Sequence, residues 1–161
     1  MKKLFFIILI MTLLAGLHEK ILAQENIKAS MLEEVNNLRR TGCKCGDKTM
    51  PPVPELKWND KLEKSALRHA KDMMENELMG HTGSDGSQPD ERITATGYRW
   101  SVIGENVAFG YSTVEDALEG WKSSQAHCHN IMDPEFSEIG AAQQGIYWVQ
   151  DFGRAPMKQD P

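Results

Sequence analysis

Apolar residues recur at helical spacing in two segments of the first half of the chain. An apolar residue at every third or fourth position predicts a helix over residues 26–41. A second such pattern, capped by Asn59 or Asp60, predicts a helix that ends near Leu78. We expect the residues between the two helices, 42–54, to form a loop because they are dense in glycine and proline.

The middle of the chain follows neither the helical nor the strand period cleanly. Residues 98–111 predict extended chain with a turn at Gly104. Ser112 and Glu115 then form a capping-box pattern ahead of an amphipathic helix whose apolar face includes Trp121.

Two segments near the end of the chain predict strands. Residues 137–144 and 146–153 flank Gly145, and the second segment alternates at the period of a strand, which predicts a hairpin. Helices come first and a hairpin last, with neither internal repeats nor a linker to a second domain. This order favours a mixed α/β single domain.

Residues 1–23 have the layout of a secretory signal peptide. Two lysines precede an apolar run from Leu4 to Leu17, and a small residue stands at Ala23. The run is shorter than the roughly 20 apolar residues that span a bilayer. We therefore predict a signal peptide at 1–23 and a single exported domain at 24–161, secreted or periplasmic, without a transmembrane anchor.

The exported part is acidic. The chain has a formal net charge of −5, and residues 1–23 carry three lysines and one glutamate, so their removal leaves −7. Nucleic-acid binding needs a basic face that neutralises phosphates, and this balance argues against such a partner. It also gives no reason to expect attraction to anionic membranes.

The three cysteines are Cys43, Cys45 and Cys128. Disulfides form in exported proteins, but an odd number leaves one thiol over. A bridge between Cys43 and Cys45 would close a tight ring in poor geometry. A long-range bridge from one of these two to Cys128 is favoured, and the sequence leaves open which of them forms it.

Candidate chemistry lies at loops and element ends, where side chains reach solvent without disturbing a core. The residues there are three histidines and three glutamates: His81, Glu91, Glu105, His127, His129 and Glu138. Two imidazoles and a carboxylate suffice for a zinc-type site with an open position. Their spacing matches no compact ligand motif, so the alternative is that each histidine is a surface or hydrogen-bonded residue.

Cys128, between two histidines, raises the alternative of a nucleophilic cysteine. Adjacent residues rarely face each other, however, and a catalytic cysteine normally has its histidine brought in by the fold. A disulfide is the favoured role for Cys128. His69, inside the second predicted helix, is expected to be a surface or packing histidine.

Four stretches of the chain carry a family resemblance. They are HTG (81–83), GENVAFGYSTVEDALEGW (104–121), AHCHNIMDPEFSEIG (126–140) and YWVQDFG (147–153). In this order they resemble the CAP superfamily of cysteine-rich secretory proteins, antigen 5 and plant pathogenesis-related proteins, in its bacterial form, over residues 27–154. The resemblance implies an α+β fold, a three-layer α-β-α sandwich with a central antiparallel sheet.

The resemblance also implies a cleft where histidines and acidic residues converge. Carried over by motif, the cleft residues are His81, Glu105 and His127. In members with bound metal the two histidines are ligands, so Zn²⁺ or another divalent cation is the implied cofactor. Many eukaryotic members have a second glutamate where this chain has Ser124. The set is incomplete unless Glu91 or Glu138 contributes.

Three functions are compatible with these residues. The first, which the resemblance implies, is a binding module for a small hydrophobic ligand, such as a lipid or sterol, or for a protein partner. The second is a metal-dependent, peptidase-like hydrolase, with Zn²⁺ on His81 and His127 and with Glu105 as base. The third is a cysteine protease, which needs a free thiol at Cys128. We expect binding and not an enzyme, because there is no obvious nucleophile and no third neutral metal ligand.

Overall fold

A computed structural model describes residues 24–157 of the chain. The predicted signal peptide at 1–23 lies outside the described residues. Helix α1 covers residues 24–41, which confirms the first predicted helix. It buries Met31 and Val35 completely, as expected for apolar residues on one helical face. In this described part of the chain, no helix is long and apolar enough to cross a membrane.

A small hairpin replaces part of the loop predicted after α1. Strand β1 (Cys43–Cys45) pairs antiparallel with β2 (Lys48–Met50), and Gly46 in the connecting turn has a φ of 60°. Glycine adopts this left-handed conformation without the steric cost that a side chain adds. The loop prediction is wrong for these residues because strands of three residues leave little periodic signal.

Helix α2 (Asp60–Asn76) follows the short strand β3 (Lys57–Trp58). Of the two predicted caps, the structure has Asn59, whose side chain accepts hydrogen bonds from two backbone amides of the first turn at 2.9 and 3.4 Å. The helix ends where Glu77 takes the left-handed conformation, close to the predicted end.

Helix α3 (Pro89–Ala95) leads to strand β4 (Val102–Phe109), which runs through Gly104 without interruption. The turn predicted at Gly104 is therefore wrong. A Cβ atom at this position would lie 2.7 Å from Cζ of Phe136, so the glycine makes room for an aromatic ring against the strand.

Two further helices precede the final hairpin. Helix α4 (Val114–Ser123) is capped by Thr113, whose hydroxyl accepts a hydrogen bond from the amide of Asp116 at 3.1 Å, and not by Ser112 as predicted. Helix α5 (Gln125–Ile131) begins almost at once and contacts α4.

Strands β5 (Glu138–Gln144) and β6 (Tyr147–Arg154) form the predicted terminal hairpin. The main sheet has the order β3-β5-β6-β4, in which β3 runs parallel to β5 and the other pairs are antiparallel. Strand β4 is therefore an edge strand. In its register with β6, Glu105 lies directly opposite Asp151.

Helices cover both faces of this sheet, which confirms the predicted three-layer α-β-α sandwich. On one face, α2 packs against Val107 and Val149. On the other face, α1, α4 and α5 pack against Trp148 and Phe152. Helix α2 approaches so closely that a Cβ atom at Gly140 would overlap the helix backbone.

A disulfide joins Cys45 of β1 to Cys128 of α5, and Cys43 keeps a free thiol. The predicted long-range bridge is confirmed, and Cys45 is its N-terminal member. The cysteine protease hypothesis needs a free thiol at Cys128, and the structure has this sulfur in a disulfide, so that hypothesis is wrong.

Candidate functional site

His81 and Glu105 form a hydrogen-bonded pair beside the edge strand. His81 lies in the loop between α2 and α3, and its Nδ1 is 2.8 Å from Oε1 of Glu105 on β4. A carboxylate accepts, so Nδ1 donates, and Nε2 of the neutral ring keeps its lone pair. The His81 side chain is 51% exposed and that of Glu105 only 2%. The pair therefore connects the surface to a buried charge.

Arg92 on α3 holds the other side of the Glu105 carboxylate. Its Nη2 donates to Oε2 of Glu105 at 2.7 Å and to the backbone oxygen of His81 at 2.9 Å. Its Nη1 donates to the carbonyl of Ser87 at 2.7 Å. Since the side chain of Arg92 is 1% exposed, the guanidinium supplies the opposite charge that a buried carboxylate requires. Arg92 thus positions both the loop that carries His81 and Glu105, which accepts the hydrogen bond of the His81 ring.

Asp151 of β6 lies directly opposite Glu105 in the sheet. Its side chain is fully buried, and neither carboxyl oxygen has a hydrogen-bond partner among residues 24–157. Burial raises the pKa of Asp151 well above its ordinary value, and the charge of Glu105 raises it further. Asp151 is therefore the neutral member of a pair of facing carboxyl groups.

His69 of α2 is a packing histidine, one of the two roles predicted for it. Its ring is buried, and Nε2 lies 2.8 Å from the carbonyl oxygen of Gly80, so Nε2 carries the proton. Burial is the main cause that lowers the pKa of His69 and keeps the ring neutral. The bond fastens α2 to the residue that precedes His81.

His127 reaches the same edge from the opposite helical layer, on α5. Its backbone carbonyl accepts a hydrogen bond at 3.2 Å from Nδ2 of Asn106 on β4. Burial and, secondly, the nearby charge of His81 lower the pKa of His127, whereas the bond to Glu105 raises the pKa of His81. The two imidazoles therefore have pKa values shifted in opposite directions, upward for His81 and downward for His127.

The three residues predicted as metal ligands are brought to one edge of the sheet, but not into one ligand sphere. Both oxygens of Glu105 already bind partners, one the ring of His81 and the other Arg92. Within residues 24–157, the only three histidine, cysteine or acidic residues whose ligand atoms all lie within 4.8 Å of one another are the three cysteines.

Ser124 stands where many eukaryotic family members have a second glutamate, and both Glu91 and Glu138 are engaged elsewhere. Glu91 accepts a hydrogen bond from the amide of Gln88 at the start of α3, and Glu138 accepts one from the hydroxyl of Tyr98. Ser124 lies at the start of α5, where its carbonyl accepts from the amide of Cys128. In the described part of the chain, neither glutamate hydrogen-bonds to His81 or His127.

Arg92 and Asp151 are site residues that sequence reasoning missed. Arg92 stands in a short polar helix, where an arginine is ordinarily solvated. Asp151 left a usable signal, because strand alternation places it on the same face as the apolar Val149. A carboxyl group on an apolar strand face has to be paired or neutral.

Replacement of Arg92 by methionine tests the buried ion pair. We expect Arg92→Met to lower the free energy of unfolding by about 3–5 kcal/mol, because it leaves the Glu105 charge buried beside His81 alone. Arg154→Met is the matched control: Arg154 pairs with Glu135 on the surface, and its loss should cost about 1 kcal/mol or less. Urea unfolding measures both losses of stability, and equal losses would contradict the buried ion pair of Arg92 and Glu105.

Asp151→Asn tests the neutral carboxyl group. Because the folded-state pKa is raised above 3.8, the folded protein keeps a proton that the unfolded chain releases, and stability falls as pH rises above that value. Asparagine does not titrate, so the stability of the variant lacks this fall with pH. The free energy of unfolding of the variant relative to that of the parent should therefore rise between pH 4 and 7. Unfolding curves across that range measure the difference, and an advantage independent of pH would show that Asp151 does not retain its proton.

Comparison with known proteins gives matches over most of the chain. The model of the CAP family, described as the cysteine-rich secretory protein family, matches residues 32–152. The protein YkwD of Bacillus subtilis is 30% identical over 99 residues, which are 60% of this chain and 38% of YkwD. The membrane protein YlbC of the same organism is 26% identical over 62% of this chain and 29% of its own length. The chain therefore spans well under half of these relatives.

Solved structures share the fold. An extracellular protein of Bacillus anthracis that contains an SCP domain superposes with a TM-score of 0.65 at 22% identity, over 78% of this chain and 41% of that one. An outer surface protein of Borrelia burgdorferi superposes with a TM-score of 0.70 at 21% identity, over 83% of this chain and 96% of that one. With the family match over residues 32–152, the ordered motifs and the α-β-α sandwich, the chain belongs to the cysteine-rich secretory protein (CAP) family.

Proposed function

We propose that this domain is an exported binding module in which His81 and His127 hold a divalent cation, Zn²⁺ or a similar ion, at the edge of β4. The observation that carries the proposal is the hydrogen bond from His81 Nδ1 to Glu105, which leaves Nε2 as the ligand atom of the ring. Metal-binding histidines usually donate their other ring N–H to a carboxylate or carbonyl in this way. Glu105 is then the residue that orients a ligand, and not a ligand itself.

The two imidazoles suit a cation with open coordination positions. The lowered pKa of His127 keeps its ring in the neutral state that a metal needs. Two protein ligands are fewer than the three of a catalytic zinc site, so water or donor atoms of a bound molecule would complete the shell. The cation would supply a Lewis-acidic point for an anionic or carbonyl group of that molecule.

The surroundings of Glu105 favour binding over the alternative, metal-dependent hydrolysis. A general base must have an oxygen within hydrogen-bond reach of the water that it deprotonates. The side chain of Glu105 is almost fully buried, and each oxygen already accepts a strong hydrogen bond. Glu105 is thus suited to holding His81 and poorly suited to receiving a proton from a substrate water.

Two exposed apolar residues precede His81 in the chain. Leu78 and Met79, three and two residues before His81, are 37% and 53% exposed. Exposed apolar side chains next to a polar site suit a ligand or partner with an apolar part. This position supports a small hydrophobic molecule or a protein surface as the occupant.

Export of the protein rests on two observations. Residues 1–23 have the pattern of a signal peptide, and two structural neighbours are described as an extracellular protein and an outer surface protein. The proposed place of action is therefore the periplasm or the outside of the cell.

Calorimetric titration of Zn²⁺ into untagged protein, without reductant, tests the cleft. We expect one site, lost in both His81→Ala and His127→Ala. Glu105→Gln should weaken affinity by about 10–100-fold, the usual effect of removing a residue that supports a metal ligand. Affinity should also rise with pH, because Zn²⁺ competes with protons for the ring nitrogens of the two histidines.

His129→Ala is the matched control, because His129 lies on the same helix and its Nε2 is buried within the protein. It should leave Zn²⁺ binding unchanged. Absence of binding to the parent, or binding that survives the loss of His127, would contradict the proposed cation site.

A further inference from the structure

The three cysteines form a compact cluster beside α5. The thiol sulfur of Cys43 lies 3.8 Å from Sγ of Cys45 and 3.7 Å from Sγ of Cys128, and the latter two are joined in the disulfide. Both bridged residues are completely buried, whereas Cys43 is partly exposed. A thiol in contact with a disulfide is the arrangement from which thiol–disulfide exchange proceeds.

We propose that these residues form a thiol–disulfide exchange site for small thiols and disulfides, in which Cys43 is the relay between solvent and the buried Cys45–Cys128 bridge. An external thiol cannot reach the bridge directly, because both bridged cysteines are completely buried. Cys43 contacts both bridge sulfurs and is also open to solvent. Of the three cysteines, Cys43 is therefore the one that can exchange both with an external thiol and with the buried bridge.

The first step is internal. The Cys43 thiolate attacks Sγ of Cys128, forms the Cys43–Cys128 disulfide and breaks the Cys45–Cys128 bond, whose electron pair leaves on Cys45. Attack on Cys45 is disfavoured because it would close a tight ring between residues that are separated by one position. The Cys45–Cys128 bridge and the Cys43–Cys128 bridge that replaces it therefore both join β1 to α5.

The next two steps involve the external thiol. Its thiolate attacks Cys43, forms a mixed disulfide with it and releases the Cys128 thiolate. A second external thiolate then attacks the external sulfur of the mixed disulfide, which frees Cys43 and forms the external disulfide. In sum, the protein disulfide gains two electrons, and two small thiols are oxidised to one disulfide. The reverse sequence oxidises the reduced protein.

The surroundings of Cys43 make this exchange slow at neutral pH. Burial raises the pKa of the Cys43 thiol, and Lys122 of α4 opposes this shift. Only the thiolate attacks, so the bridge persists at rest and opens when the thiolate fraction or the external thiol concentration rises.

Bridge opening by reduced glutathione at about pH 8.5, near the ordinary pKa of a thiol, tests the relay. The full-length oxidised protein is incubated with glutathione, quenched with an alkylating reagent and digested, and the Cys45–Cys128 peptide pair is followed by mass spectrometry. Cys43→Ser should slow its loss at least about tenfold, because only the relay thiolate reaches the bridge. Lys44→Ser, at the exposed neighbouring position of β1, is the control and should open at the parent rate. Equal rates for the parent and Cys43→Ser would overturn the proposal.

The position of the first glutathione adduct gives a readout that needs no variant. In the parent protein the relay places this adduct on Cys43, with thiols on Cys45 and Cys128. A first adduct on Cys45 or Cys128 would show direct attack on the bridge and would overturn the proposal.

Discussion

The carboxylate of Glu105 is buried between the guanidinium of Arg92 and the imidazole of His81, and the geometry of the candidate site depends on this arrangement. Arg92 neutralises the charge from α3, and the same guanidinium holds the backbone of His81. A buried carboxylate is tolerated only with such partners. As a consequence, the loop that carries His81 is held against β4 and its ring is held in one orientation, with Nε2 left as the outer atom.

The edge position of β4 allows the two helical layers to meet at this carboxylate. His81 arrives from the layer of α2 and α3, and His127 arrives on α5 from the other layer. Helix α5 is fastened near the site by Asn130, which donates to the carbonyl of Glu105 at 3.2 Å. At the same helix, Cys128 is bonded to the β1–β2 hairpin. One member of each proposed site, Cys128 of the sulfur cluster and His127 of the histidine pair, thus lies on this short helix.

Sequence patterns predicted the elements in which apolar residues recur regularly over many positions. Helix α2 and the β5–β6 hairpin are examples, and the family motifs named His81, Glu105 and His127, which the structure brings to one edge of the sheet. The turn prediction at Gly104 is wrong because a glycine that makes room for the ring of Phe136 cannot be told, in sequence, from a glycine in a turn. The role of Arg92 and the choice of bridge partner depend on how α3 and the first hairpin dock, which a linear pattern does not contain.

Glu105 holds His81 through Nδ1, and the pKa values of His81 and His127 are shifted in opposite directions. Nitrogen-15 NMR of the histidine side chains, recorded as a function of pH, measures this directly. We predict the Nδ1–H tautomer for neutral His81 and a pKa above 6.5, together with a pKa below 6.5 for His127. An Nε2–H tautomer for His81, or a His81 pKa at or below that of His127, would contradict the account.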